Sequence, residues 1–169
     1  MSEELLAALL SLDSTSVDNE IRENYIRAPF GYPGSKARSI KNILPYLPYT
    51  DMYCEPFGGS GAVWLARNES KLEIFNDRYS GVTCFFRVIR DKIKLELFLE
   101  RLSLMIHSRE EFIWSRNTWK DCDDEIERSA RWYYVVRNSF GSQCLYFGRS
   151  RNPKALFAKP LGDQCNESR

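Results

Sequence analysis

Tyr53-Cys54-Glu55-Pro56-Phe57-Gly58-Gly59-Ser60-Gly61-Ala62-Val63-Trp64 is the stretch that decides the fold. Three glycines in four positions stand between a run with strand character and a run of apolar residues at helical spacing. Glycine lets a chain turn sharply from strand to helix and brings bare backbone close to a ligand. Such turns also close purely structural βα units, so the neighbours must be read with it. A helix is expected over 61–68, and Lys71-Leu72-Glu73-Ile74-Phe75 reads as a second strand ending on Asn76-Asp77. A carboxylate at the tip of that strand sits where the two hydroxyls of a ribose would donate to it, which suits an adenosine-containing cofactor.

Two phosphate-binding readings fail on the residues. A Walker-type loop needs Lys-Ser/Thr directly after its glycines, and Ala62-Val63-Trp64 stands there instead. A dinucleotide loop faces a pyrophosphate, which Glu55 at the mouth of this turn would repel. Acid at that place welcomes a cationic ligand without phosphate. S-adenosylmethionine, with its ammonium and sulfonium, is such a ligand.

With these residues in view the chain resembles the DNA N6-adenine methyltransferases of the Dam (D12) class. Residues 53–61 resemble that family's glycine motif. In the family's order stand Tyr32-Pro33-Gly34-Ser35-Lys36 before it, Asn76-Asp77 after it, and then Ala130-Arg131-Trp132-Tyr133-Tyr134 with Asn138-Ser139-Phe140-Gly141. The resemblance spans roughly 27–151. It implies an α/β fold: a partial Rossmann-like, S-adenosylmethionine-dependent methyltransferase sheet with an inserted helical subdomain. It also implies a cofactor site at Tyr32, Gly34, Lys36, Glu55, Phe57, Gly58, Gly59, Gly61 and Asp77, and double-stranded DNA as partner. One departure matters. The family's catalytic Asp/Asn-Pro-Pro-Tyr/Phe tetrapeptide has no counterpart, because the chain contains no Pro-Pro pair.

Composition sets the outer bounds. At 169 residues, with 43% hydrophobic and 14% aromatic content, the chain can bury one good core. No apolar run approaches the roughly 18 residues of a membrane span, and no basic-then-apolar leader precedes the domain, so a cytoplasmic protein without membrane contact is expected. Five cysteines without C-x-x-C spacing and a single histidine, His107, leave little material for a disulfide framework, a metal centre or a Ser-His-Asp triad. No metal is expected.

Net charge is only +1, but its distribution is uneven. Residues 137–160 carry Arg137, Arg149, Arg151, Lys154 and Lys159 with no acid, whereas residues 121–127 are acidic. A basic face for DNA phosphates beside an acidic cofactor pocket is the arrangement a DNA methyltransferase needs; a solvated surface is the plainer alternative. Arg137, Asn138 and Gln143 are candidates for the DNA face, and Arg149 and Arg151 for phosphate contacts.

In chain order, residues 2–10 read as a short amphipathic helix and 11–19 as a linker, so 1–26 form a leading segment. Residues 27–91 form the cofactor-binding α/β part: a helix over 35–44 stopped by Pro45, a strand over 50–55, and a helix over 79–89 whose Phe85 and Phe86 belong to the core. Residues 92–151 form a helical, target-recognition-like subdomain. It holds a capping-box-like start at Ser108 and a long amphipathic run over 126–136, and Trp114, Trp119 and Trp132 glue the bundle together. A polar turn and a short strand or hairpin follow Asn138, and 152–169 is a tail. The functional expectation is a Dam-like adenine methyltransferase that is truncated or is completed by a second polypeptide, and is inactive alone. The alternatives are a non-catalytic relative that binds DNA or a protein partner, as a regulator or anti-defence decoy, and an unrelated nucleotide-binding module.

Overall fold

The computed structural model describes residues 25–148. The expected helix at 2–10, the linker and the tail at 152–169 lie outside them.

The chain enters along Ala28-Pro29-Phe30, which is buried, and makes a tight turn at Tyr32-Pro33-Gly34-Ser35, closed by Ser35 N–H donating to Tyr32 O at 2.9 Å. Proline followed by a glycine at φ +76° is the sequence a type II turn requires, and nothing but that φ demands glycine at position 34. The single helix expected over 35–44 is broken. A 3-10 turn at Ala37–Ser39 leads into the four-residue α1 (Ile40–Ile43), and a second 3-10 turn, Leu44–Tyr46, follows. Pro45 lies inside that last turn, near its start, where its missing N–H is not needed.

Two short strands, β1 (Met52–Glu55) and β2 (Leu72–Phe75), pair in parallel with Met52 opposite Leu72 and Glu55 opposite Phe75. Parallel neighbours need a crossover. Here it is the glycine loop and α2 (Ala62–Ala66), shorter than the 61–68 expected. Glu73 fastens that crossover to the sheet, since its carboxylate accepts from Trp64 Nε1 at 2.7 Å and from Arg67 Nη1 at 2.9 Å. The Arg67 guanidinium lies 3.9 Å from the Tyr53 ring centroid. One face of the strand pair is covered by Trp64, packed on Phe75, and by Phe86 beneath them. Met52, Cys54, Leu72 and Ile74 on the opposite face are exposed.

Four helices complete the described residues: α3 (Ser80–Ile89), α4 (Lys92–Ser103), α5 (Arg109–Thr118) and α6 (Glu125–Asn138). Each of the last three starts on a side-chain cap. Asp91 accepts from Ile93 N and Lys94 N, Ser108 from Glu111 N, and Asp124 from Glu127 N. The capping box expected at Ser108 is half made, because the Ser108 N–H goes to Ile106 O at 3.0 Å and to the Tyr134 hydroxyl at 3.3 Å rather than to Glu111. Helix α6 is the axis: Trp132, Tyr133, Val135 and Val136 are fully buried, and α3, α4 and α5 pack around it. Gly81 on α3 allows the closest approach, since a Cβ there would lie 2.3 Å from Trp132 Nε1.

Phe85 and Phe86 are core, as expected, with Phe85 stacked on Tyr133 at 5.2 Å. The expected boundary at 91/92 is not a break in packing. Phe30 and α3 share one apolar cluster with α4, α5 and α6, and the Tyr133 hydroxyl donates to Pro29 O at 3.1 Å, so the helical part is joined to the chain's entry through a common core. Among the three tryptophans only Trp119 and Trp132 are interior. Trp114 is 42% exposed, with the Arg131 guanidinium 4.0 Å from its ring centroid.

Candidate functional site

The glycine loop is tied down by backbone and by the tip of β2. Asn76 N–H donates to Glu55 O at 2.9 Å and Gly58 N–H to Asn76 O at 2.8 Å, which carries the parallel ladder one step past the strands. Asn76 Nδ2 reaches Pro56 O at 3.0 Å. Asp77 then closes the turn: one carboxylate oxygen accepts from Gly59 N–H and the other from Tyr79 N–H, both at 2.8 Å. The Asn76-Asp77 pair is therefore the clasp of the loop. A carboxylate has about four lone-pair sites, so two remain for a ligand.

Each glycine has its own reason. A Cβ on Gly58 would fall 2.2 Å from the Phe75 ring, Gly59 at φ +50° lies under the Tyr32 ring, and Gly61 at φ +70° is the left-handed residue that starts α2. From the other side the Tyr32–Ser35 turn leans on the loop, with Ser35 Oγ 2.9 Å from the buried Ser60 Oγ.

These contacts leave a cavity of about 460 Å³ between the turn and the loop. Tyr32, Gly34, Lys36, Glu55, Phe57, Gly58, Gly59 and Asp77 all line it, joined by Pro33, Ser35, Ser60, Ala62 and Val63. Eight of the nine residues expected to hold the cofactor thus share one hollow. Gly61, the ninth, lies beneath the loop and is buried. Phe57 stands at the mouth, 85% exposed. Lys36 turns its ammonium to Gly34 O at 2.8 Å, so it closes its own turn.

Glu55 is oriented by the Tyr53 hydroxyl, which donates to Oε2 at 2.8 Å. Burial, and then that bond to Glu55, pushes the Tyr53 phenol up to about 12, so it stays a donor. The Tyr32 phenol is also pushed up to about 12, by burial first and by the negative field of Asp77 next. Two carboxylates and two neutral phenols therefore surround the loop. The cavity volume lies within the roughly 300–1,000 Å³ of small-molecule sites.

Beyond α6 the chain forms a compact hairpin. Ser139 and Phe147 make an antiparallel bridge, Phe140 N–H donates to Tyr146 O at 2.9 Å, and Arg116 Nη1 holds Leu145 O at 2.7 Å. Its tip carries Gly141, Ser142 and Cys144 at positive φ, a wound backbone that leaves Phe140 and Tyr146 exposed. The DNA-face candidates scatter. Gln143 is exposed at that tip, and Arg137 is half-buried and engaged with neighbours. Asn138 does not face outward: it is 1% exposed, and its Nδ2 donates to Tyr134 O at 2.9 Å. It lies on the last turn of α6 with its side chain bonded back onto that helix, so it has no surface to offer. Arg149 and Arg151 lie outside the described residues.

Sequence reasoning missed Tyr53, Ser35 and Ser60. Tyr53 and Glu55 are two apart on a strand and so share a face, a period that could have found the pair. The two serines, 25 positions apart, carried no such signal. The aromatic tip residues Phe140 and Tyr146 also went unmarked. Among the described residues no group of acidic, Cys or His side chains could hold a metal ion, and no helix is long and apolar enough to cross a membrane.

A mixed α/β chain with a short parallel strand pair, a glycine crossover and an acidic hollow at the strand tips is the class this geometry defines. The sequence profile of the D12 class N6 adenine-specific DNA methyltransferases matches residues 32–166, and the chain belongs to that family. No curated protein matches it.

Proposed function

We propose that this chain binds S-adenosylmethionine in the hollow beside residues 57–61 and double-stranded DNA across the neighbouring hairpin, as a Rossmann-like member of its family acting in the cytoplasm. The observation that carries the reading is the convergence of Glu55 and Asp77 on one cavity with the glycine loop between them. When bound, the cofactor supplies a methyl group on a positively charged sulfur. Glu55, held by Tyr53, offers a carboxylate to the cationic amino-acid part. Asp77 offers its remaining lone pairs to the ribose hydroxyls while it keeps Gly59 in place. Phe57 at the mouth flanks the adenine. Phosphate-bearing ligands are disfavoured by the same two acids.

Adenine N6 chemistry also needs the target base flipped out and its amino group gripped by an Asp/Asn side chain and a proline carbonyl. This chain contains no Asp/Asn-Pro-Pro-Tyr/Phe sequence, and on that ground we read these 169 residues as inactive alone. A second polypeptide that brings the tetrapeptide would complete the site. The same absence favours the second reading, a non-catalytic relative that keeps cofactor and DNA binding for regulation. Calorimetry with S-adenosylmethionine tests the first claim, and silence at millimolar ligand removes it. Methyl transfer from labelled cofactor to an adenine-containing duplex tests the second, since product formed by this chain alone would show that the clamp is not required.

A further inference from the structure

Next to the acidic hollow lies a larger cleft, about 930 Å³, walled by residues 25–28, by the Tyr32–Ser35 turn, by the 37–41 segment and by the hairpin tip at Gly141 and Ser142. The two spaces share Tyr32, Gly34, Ser35 and Ala62 as a common partition. The hairpin closes against the entry turn because position 31 is glycine: a Cβ there would fall 2.8 Å from Ser142 Oγ.

The charges of the two spaces are opposite. Glu55 and Asp77 line the smaller, with Lys36 turned onto Gly34 O, whereas the larger is lined by Arg27, Arg38 and Lys41 and, among the described residues, by no carboxylate. Arg67, Arg87, Lys94, Arg101 and Arg131, by contrast, are engaged with Glu73, Glu125 or Glu127, while cations without an ion pair among the described residues, such as Arg90, Lys92 and Lys120, line neither space. Arg27, Arg38 and Lys41 make no ion pair with a described residue. Three cations without an ion partner among the described residues thus line one cleft together with Ser35 and Ser142, a lining suited to an anionic chain.

We propose that this cleft carries the phosphodiester backbone of the DNA strand whose base is presented at the acidic hollow, with Arg27, Arg38 and Lys41 as its phosphate contacts. The inference rests on the DNA reading above and adds the path of the strand. A base lifted out of a duplex stays tethered to its sugar and phosphates, so a strand that offers a base at the small cavity must lay its phosphates beside that cavity. The partition of Tyr32, Gly34 and Ser35 separates the repelling carboxylates from the attracting cations over that short distance.

Salt-dependent binding of a labelled duplex to the full chain tests this. Each lost phosphate contact makes the slope of log K against log salt shallower by about 0.9, so the triple variant Arg27→Ala/Arg38→Ala/Lys41→Ala should lose about 2.7. Its calorimetric affinity for S-adenosylmethionine should be unchanged, because none of the three lines the acidic hollow. If the triple variant loses its helical circular dichroism, the exposed pair Arg38→Ala/Lys41→Ala carries the same test with an expected change of about 1.8. The exchange Arg38→Lys/Lys41→Arg should keep the slope. A wild-type slope in the alanine variants, with DNA still bound, overturns the strand path and leaves DNA binding standing. No duplex binding by the unaltered chain at low salt overturns both.

Discussion

The helical half and the sheet half of this molecule are held together by different forces. Around α6 the side chains of Phe30, Phe85, Phe98, Leu95, Phe112 and Trp132 are out of water, and burial of that kind contributes about 1.5–3 kcal/mol per large side chain. A partly exposed rim of ion pairs closes the bundle, with Glu125 meeting Lys94 and Arg87, and Glu127 meeting Arg101 and Arg131. The strand pair has four residues per strand and one covered face. Its loops are held by a few hydrogen bonds made to and by Asn76, Asp77 and Ser35. Bonds of that kind contribute about 0.5–1.5 kcal/mol net, somewhat more to a charged acceptor. Stability is therefore concentrated in one half and ligand chemistry in the other, where loops can adjust without opening the core.

The contrast can be broken experimentally. Phe85→Ala should cost about 3–5 kcal/mol in denaturant unfolding, whereas Ile74→Ala, on the exposed sheet face, should cost under about 1. Equal costs would show that the two halves unfold with one shared core. Gly58→Ala drives a Cβ into the Phe75 ring and should displace the loop, with an overpacking cost of about 1–3 kcal/mol and lost cofactor affinity. Unchanged calorimetry in that variant would detach the loop's shape from ligand binding. Asp77→Ala should weaken the cofactor by about 1–3 kcal/mol, since the carboxylate both holds Gly59 and faces the hollow; unaltered affinity would leave it with neither task.

The smallest effect is on the rim. Hydrogen bonds from Arg101 and Arg131 hold the Glu127 carboxyl below the usual glutamate range. Its stabilisation is complete above about pH 4.3, the unfolded value, and is lost as pH falls through the lower folded value. Glu127→Gln should therefore melt below the unaltered chain at pH 7, with the gap closing in acid. A gap that persists at pH 3 would assign the effect to packing.

How far the sequence could be read depends on how local each cause was. The glycine turn, both strands and the long helices follow from spacing within a few residues, and they stand where that spacing puts them. The eight cavity residues came from ordered motifs, and the cavity unites them. The reading failed where distant packing decides. Asn138 sits in a polar motif, yet the burial of α6 turns it inward. Trp114 sits in an apolar register but ends beside solvent under Arg131. Arg38 and Lys41 are neighbours on one helical stretch, but Arg27 stands eleven positions before the first of them and joins their cleft only through the folded course of the chain. Asp77 was legible as a strand-tip acid but not as a clasp, because its partner Gly59 lies eighteen positions away.

The uncovered side of the strand pair has a practical meaning. Met52, Leu72 and Ile74 form a greasy plate, and neither strand has a second neighbour among the described residues. An uncovered apolar face beside free strand edges favours sticking between chains, so Leu72→Lys should raise the solubility of concentrated preparations.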